Sequence, residues 1–169
     1  RRIDLSNWEE DFESAAVDAN LDEFEQHLNP DHLPHAVIID CTASAQISSQ
    51  YAEWLARGIH VITPNKKAFS GDYSDYRALQ DAADKGSSHY FYETTVGAAL
   101  PVITTLCDLI HTGDEVRSIS GIFSGTLAYL FNVYDGSREF SDIVVEAKQR
   151  GYTEPDPRDD LSGTDVARK

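Results

Sequence analysis

Methionine is absent from this sequence of 169 residues, cysteine occurs only twice, and no long apolar run is present. Cys41 and Cys107 lie in apolar surroundings without C-x-x-C spacing, which argues against a disulfide framework and a zinc site and fits a reducing compartment. No stretch approaches the roughly 18 apolar residues that are needed to cross a bilayer. These absences predict a cytoplasmic protein without a membrane partner.

Basic residues are also scarce. The sequence has 14 Lys and Arg against 29 Asp and Glu, a formal net charge of −15, and no Lys/Arg-rich stretch. We therefore expect no nucleic-acid partner, because such a partner calls for a positively charged surface. The hydrophobic content of 41% is ordinary for a globular domain, and the length suffices for one core.

From residue 36 onwards, strand-like and helix-like segments alternate. The predicted elements are a strand at 36–40, a helix at 47–57, a strand at 60–63, a helix at 73–85 and a strand at 89–92. Gly58 and Gly86 follow the two helices as expected C-terminal ends. The first strand is an unbroken apolar run, which is typical of strands buried on both faces. This order predicts an α/β fold with a parallel sheet.

The remaining segments show a different pattern. Helices are predicted at 8–16, 21–28, 99–111, 125–134 and 140–150, and residues 116–123 are strand-like. In parallel sheets, ligands bind beyond the carboxyl ends of the strands. Candidate binding residues are therefore expected at 40–44, 63–67 and 93–97.

Two further absences concern nucleotide binding and the chain ends. No G-x-G-x-x-G and no Walker A loop occurs, although the alternating pattern is typical of nucleotide-binding sheets. The chain does not start with methionine and stops within a predicted helix. We therefore expect it to be a fragment of a longer protein.

The run at 151–169 holds five carboxylates, three cations and two prolines. Each proline pushes the residue before it towards extended geometry, so Glu154 and Asp156 are expected on a stiff segment. Ser162, followed three residues later by Asp165, predicts the start of a helix on which Asp165 and Lys169 share one face. An isolated pair of this kind is ordinarily a surface pair worth about 0.3 to 0.5 kcal/mol. The density of acids favours an active site instead.

Five stretches together resemble homoserine dehydrogenases in order and spacing. They are V-I-I-D-C-T at 37–42, T-P-N-K-K at 63–67, T-V-G-A-A-L-P at 95–101, G-I-F-S-G-T-L at 121–127 and the run at 151–169. The resemblance is strongest to the dehydrogenase part of bifunctional aspartokinase/homoserine dehydrogenases. It implies a Rossmann-type parallel sheet without its first βαβ unit in residues 1–97. The start of an α+β substrate and dimerisation domain would follow in residues 98–169, in a homo-oligomer.

The family reduces aspartate 4-semialdehyde to homoserine in threonine, methionine and isoleucine biosynthesis. The resemblance implies NADP or NAD as cofactor, which supplies the hydride. By the same resemblance, Lys169 is the proton donor, a role that suits a lysine whose pKa is lowered. Lys66 matches a second catalytic lysine that contacts both cofactor and substrate. Taken alone, Lys66 would be a solvent-exposed lysine at a strand end.

The resemblance also assigns binding residues. Glu154 and Asp165 match ligands of the substrate ammonium. Asp159 and Asp160, also assigned to the substrate site, match residues that support the lysine by charge or hydrogen bonds. Thr42 matches a cofactor contact, although its position also suits a cap for the next helix. The segment 124–126 opens a helix and offers amides to an anion such as the substrate carboxylate.

A monovalent cation site, with sodium as the example, is implied by four residues, Glu93, Val96, Ala98 and Leu100. Oxygen ligands suit such a hard cation. Ala99 stands where many members of the family have glycine, and a left-handed backbone there would be strained.

A different class of function stays open at this point, namely a catalytically silent fragment that acts only in assembly. A G-x-G-x-x-G upstream of residue 1 would favour the enzyme. An EF-hand calcium loop at 154–165 does not fit, because the ligand spacing differs and the prolines stiffen the segment. Without a phosphate-binding loop, the isolated fragment is expected to show little or no turnover.

Overall fold

The structure is a computed structural model. It describes residues 5–14, 18–28, 34–69, 72–98 and 100–168, without the side chain of Phe69. The chain divides into two compact units, residues 1–34 and 35–169, each of which is described by itself. The expected domain boundary at 97/98 stays a prediction.

The first unit contains two short helices, α1 (Trp8–Ser14) and α2 (Leu21–Leu28). Asn20 begins α2 because its side-chain oxygen accepts from the backbone amides of Asp22 and Glu23 at 3.0 and 3.3 Å. Both predicted helices are present, although the last two residues of the predicted 8–16 helix lie outside the described residues.

The second unit contains a three-stranded parallel sheet in the order β1-β2-β3. Its strands are β1 (Ala36–Ile39), β2 (Ile59–Ile62) and β3 (Tyr90–Phe91). The register pairs Ala36 with Ile59 and Val61 with Tyr90. The predicted α/β class, the parallel sheet and all three strands are confirmed.

Three helices accompany the sheet, α3 (Ala45–Ser48), α4 (Tyr51–Ala56) and α5 (Tyr73–Gly86), with a 3-10 helix at Lys66–Phe69. The single helix predicted at 47–57 is thus two, with a turn between them. Gly58 has φ +84°, as expected for a residue just past the end of a helix.

The end of α5 differs from the expectation. Gly86 belongs to the helix, and Ser87 takes the left-handed conformation with φ 50°. A Cβ at Gly86 would lie 1.8 Å from the carbonyl oxygen of Leu55. Gly86 is therefore required for the close approach of α5 to α4 rather than for a turn.

The core lies on one side of the sheet. Ile38 and Val61 of the sheet are buried with Tyr51, Trp54 and Leu55 of α4.

The opposite face of the sheet is exposed. Val37 and Ile39 of β1, Ile62 of β2 and Phe91 of β3 are all accessible. The expectation that β1 is buried on both faces is therefore wrong for the described residues, because their helices cover only one face.

The remaining elements lie between residues 93 and 168. They are a 3-10 helix at Glu93–Thr95, α6 (Val102–His111), α7 (Gly125–Val133), α8 (Phe140–Gln149), α9 (Pro157–Leu161) and α10 (Thr164–Ala167). A small core of Leu130, Ile143 and Ala147 joins α7 to α8. No helix within the described ranges combines the length and apolarity that a membrane span requires.

Two sequence predictions in this region are wrong. Residues 116–123 do not form a strand. Within the described chain no neighbouring strand pairs with them, and strand-like propensity needs such a partner. Ser162 is the C-terminal cap of α9 and does not begin the next helix, which starts at Thr164. Gly163 between them, with φ 79°, separates the two helices.

Candidate functional site

The site is centred on one lysine held between two carboxylates. Lys66 Nζ lies 2.6 Å from Glu154 Oε1 and 2.5 Å from Asp165 Oδ1. The side chain of Lys66 is 19% exposed and that of Asp165 only 4%. Burial lowers the pKa of Lys66, but the hydrogen bonds and charges of Asp165 and Glu154 outweigh it, so the net pKa is raised. Lys66 is therefore a firm cation at neutral pH.

A buried polar network fixes the loop that carries Lys66. The carboxylate of Asp40 accepts from the Tyr51 hydroxyl and, at 3.0 Å, from Asn65 Nδ2. Asn65 Nδ2 also donates to the Ser44 carbonyl at 2.9 Å, and its Oδ1 accepts from Lys67 N at 3.0 Å. The loops after β1 and β2 are therefore joined through side chains.

Charge in this network is fixed by its hydrogen bonds. Burial raises the pKa of Asp40, but the bonds from Tyr51, Asn65 and Thr42 leave it below its ordinary value. Burial and the bond to Asp40 raise the pKa of Tyr51. Asp40 is thus an anion and Tyr51 a neutral donor.

A second network fixes Glu154. Asp160, which is 1% exposed, accepts from the backbone amide of Glu154 at 2.9 Å and lies 2.7 Å from Thr126 Oγ1. Thr126 Oγ1 is also 2.6 Å from the carbonyl oxygen of Tyr152. Since one hydroxyl donates one proton, these two acceptors share it. Asp160 therefore holds the backbone of Glu154 through a direct hydrogen bond.

Asp159, the neighbour of Asp160, belongs to a third set of contacts. Its Oδ2 accepts from Arg168 Nη1 at 2.8 Å and lies 3.5 Å from Lys67 Nζ. The Arg168 guanidinium lowers the pKa of Asp159. Asp159 thus joins α9, α10 and the 3-10 helix after β2.

Two cavities meet at the central trio of Lys66, Glu154 and Asp165. One, of about 330 Å³, is also lined by Thr42 and Pro64, among others. The other, of about 550 Å³, is also lined by residues 125–126 at the start of α7 and by residues 151–153. The trio therefore forms part of the wall of both cavities.

Thr42 faces the smaller cavity, where a cofactor contact was expected. Its hydroxyl accepts from Ser44 N at 3.2 Å, and Ser44 is the residue that caps α3, through Ile47 N at 3.3 Å. The alternative of Thr42 as the helix cap is therefore wrong, and its cofactor contact stays a prediction.

The predicted cation site fits less well. Glu93 accepts from the backbone amides of Ile103 and Thr104, both at 2.8 Å, and from the Thr104 hydroxyl. These bonds lower the pKa of Glu93 and make it a cap of α6. The Leu100 carbonyl accepts from Val102 N at 2.9 Å. Glu93 and the Leu100 carbonyl, two of the expected ligands, thus accept hydrogen bonds from residues at the start of α6.

The backbone around that site is left-handed at Gly97, with φ 72°, and at Ala98, with φ 53°. The strain expected at Ala99 concerns a residue outside the described ones. The cation site of Glu93, Val96, Ala98 and Leu100 stays a prediction, and no role in the reaction is derived from it.

Lys169, the predicted proton donor, also lies outside the described residues. The structure brings Lys66, Glu154 and Asp165 together. Asp160 binds the backbone amide of Glu154, and Asp159 binds Arg168. The candidate segments 40–44 and 63–67 include Asp40 and Asn65, although neither residue received a role of its own, and Tyr51 was missed. Asp40 and Asn65 stand in the strand-end loops, and that position is the signal by which they were detectable.

Two family models and several known proteins match this chain. Residues 1–93 match the family model "Homoserine dehydrogenase, NAD binding domain", and residues 101–169 match "Homoserine dehydrogenase". The chain is 56% identical over 168 residues to a chloroplastic bifunctional aspartokinase/homoserine dehydrogenase 1 of Zea mays, covering 99% of the chain and 18% of that protein. It is 47% identical to a homoserine dehydrogenase of Schizosaccharomyces pombe, covering 99% and 46%.

A solved homoserine dehydrogenase of Thermoplasma acidophilum has 32% identity and a TM-score of 0.66, over 83% of this chain and 45% of that one. The chain thus spans less than half the length of these relatives. The family matches cover both the sheet with its Rossmann-type connections and the carboxylate-rich segment. The chain belongs to the homoserine dehydrogenase family.

Proposed function

We propose that the protein containing this chain is an NAD(P)-dependent homoserine dehydrogenase, which reversibly reduces aspartate 4-semialdehyde to homoserine. The observation that carries the proposal is the trio of Lys66, Glu154 and Asp165 between two cavities. One cavity suits a cofactor at the strand ends, and the other suits a small polar substrate.

Charge supports an amino-acid substrate. The trio contains two carboxylates, which are the groups that would pair with a substrate α-ammonium. Gly125 and Thr126, the first residues of α7, line the larger cavity, and the amides at the start of a helix attract an anion such as the substrate carboxylate. The substrate is therefore oriented by opposite charges at its two ends.

When bound, the nicotinamide would supply the hydride for the carbonyl carbon. The alkoxide that results needs one proton. Lys169 keeps the proposed role of proton donor. The raised pKa of Lys66 makes it a poor proton donor at neutral pH, so its proposed catalytic role is to place a fixed positive charge beside the reacting oxygen.

Residues 1–93 match an NAD binding domain, and Thr42 with Lys66 are the described residues that we assign to the cofactor. A homo-oligomer is part of the proposal, supported by exposed apolar residues such as Ile119 and Ile122 in the segment expected to belong to a dimerisation domain. A cytoplasmic location is likewise proposed, although the maize relative is chloroplastic.

The proposal is tested with the full-length protein. Homoserine-dependent reduction of NADP or NAD, followed by the absorbance of the reduced nicotinamide, is the expected result. Asp165→Asn should raise the KM for homoserine, because it removes a partner of the substrate ammonium. A folded full-length protein without activity would instead support the alternative of a silent assembly module. Residues 1–169 alone are expected to be inactive.

A further inference from the structure

Asp40 is a buried acid that has no assigned part in the reaction. It follows the last residue of β1 and is 4% exposed. Its Oδ1 accepts from Thr42 N at 2.7 Å, and its Oδ2 accepts from Asn65 Nδ2 at 3.0 Å and from the Tyr51 hydroxyl. One carboxylate therefore joins the loop after β1, the loop after β2 and helix α4.

The backbone of Asp40 is tied to the same partners. The Thr63 hydroxyl donates to the Asp40 carbonyl oxygen at 2.9 Å and accepts from Asn65 N at 2.8 Å. Asn65 Oδ1 in turn accepts from Lys67 N at 3.0 Å. The residues on both sides of Lys66 are thus held by one network.

This network is enclosed. Tyr51, Thr63 and Asn65 are at most 3% exposed. Thr42 N, the Tyr51 hydroxyl and Asn65 Nδ2 are neutral groups, and each donates a hydrogen bond to the Asp40 carboxylate. Such a satisfied buried network is rigid, because breaking one bond leaves a polar group without water.

We propose that Asp40 is a positioning residue, an inference that rests on the proposed function. It sets the loop of Thr42 against the loop of Lys66, so that both residues line the same 330 Å³ cavity. Asp40 touches neither ligand cavity as a lining residue and acts through Thr42 and Asn65. Its neighbours in the network, rather than Asp40 itself, meet the cofactor and substrate.

Asp40→Asn in the full-length protein tests this role. The amide nitrogen of the variant side chain would face Thr42 N–H or the Asn65 side-chain NH2, so one acceptor is lost and two donors oppose each other. We expect kcat/KM to fall by about 100-fold for both cofactor and homoserine, as a displacement of about 1 Å does. Amide hydrogen exchange at Thr42, Asn65 and Lys67 should accelerate by about tenfold or more.

Ser88→Ala is the matched control. Ser88 is 7% exposed and donates to the Leu55 carbonyl at 2.8 Å, a buried hydrogen bond that joins α4 to the segment before β3. The Ser88→Ala substitution should lower thermal stability. It should leave kcat/KM and the hydrogen exchange of the Thr42, Asn65 and Lys67 amides as in the wild type.

The outcomes separate this inference from the proposed function. If the wild-type protein is inactive, the proposed function fails. The hydrogen-exchange rates of the three amides then decide whether Asp40 holds the loops. Accelerated exchange with wild-type kcat/KM overturns the positioning role. So do equal kinetic losses in Asp40→Asn and Ser88→Ala, because Asp40 would then contribute only stability.

Discussion

Lys66 and Asp165 are 99 residues apart in the sequence, yet Lys66 Nζ lies 2.5 Å from Asp165 Oδ1. The contact joins the loop after β2 to the short helix α10, and Glu154 completes it at 2.6 Å. Asp165 is almost fully buried, and the Lys66 ammonium offsets part of the cost of burying its charge. The ion pair therefore stabilises the site and positions the residues proposed to meet the substrate.

Lys66→Met should be strongly destabilising. It removes the cation that Glu154 and the buried Asp165 share, at a cost of about 3 kcal/mol in the free energy of unfolding. Lys67→Met is the control, since Lys67 is 3.5 Å from Asp159 and more exposed, and it should change stability little. Urea denaturation measures both. Equal losses in the two variants would contradict the buried pairing.

The neighbours Asp159 and Asp160 should respond differently to the same change. Asp160→Asn disturbs a 1% exposed carboxylate that accepts from Glu154 N and Thr126, which should cost about 2 kcal/mol. Because Glu154 then moves, the KM for homoserine should also rise. Asp159→Asn keeps most of its contacts at the surface and should lose less stability. A larger effect on stability and KM from Asp159→Asn would show that the two roles are reversed.

The sheet and the loops at its carboxyl edge were predictable from sequence, because β1 is an apolar run, β2 is apolar at three of its four positions and Gly58 follows α4 as expected. The pairing of Asp165 was not. The spacing at 165–169 predicts Lys169 as a neighbour of Asp165, and Lys169 lies outside the described residues. The contact of Asp165 with Lys66 spans 99 residues and leaves no mark in local spacing.

Residues 116–123 show the same limit for strands. Their residues have strand-like propensity, but a strand also needs a hydrogen-bonded neighbour, and the described chain supplies none. Gly86 shows that local sequence likewise does not reveal a packing contact between helices. The residue was expected to end a helix, whereas the Leu55 carbonyl that requires a glycine there lies 31 residues earlier.

Gly86→Ala should therefore destabilise the second unit. Its Cβ would lie 1.8 Å from the Leu55 carbonyl oxygen and 2.9 Å from its carbon, so α5 and α4 must separate. We expect a loss of about 3 kcal/mol. Gly121→Ala is the control, because its Cβ would meet only the ring of Phe123 at 4.0 Å. Thermal unfolding compares them, and similar melting temperatures would contradict the close approach of the two helices.

The acid sensitivity of folding should depend on Asp40. Its hydrogen bonds hold the pKa of Asp40 below the ordinary value of 3.8 in the folded protein. The unfolded chain therefore binds the proton first as pH falls, and the stabilisation is complete above pH 3.8 and disappears as pH drops through the lower folded pKa. Asp40→Asn has no such proton to bind.

Wild type should exceed the variant Asp40→Asn in stability by a constant amount from about pH 7 to about pH 5, and the difference should shrink below about pH 4. Urea denaturation across that range measures the difference, with Ser88→Ala as a control whose difference from wild type stays constant. A gap between wild type and Asp40→Asn that widens in acid would mean that the pKa of Asp40 is raised, not lowered, in the folded protein, and that the network favours the neutral acid.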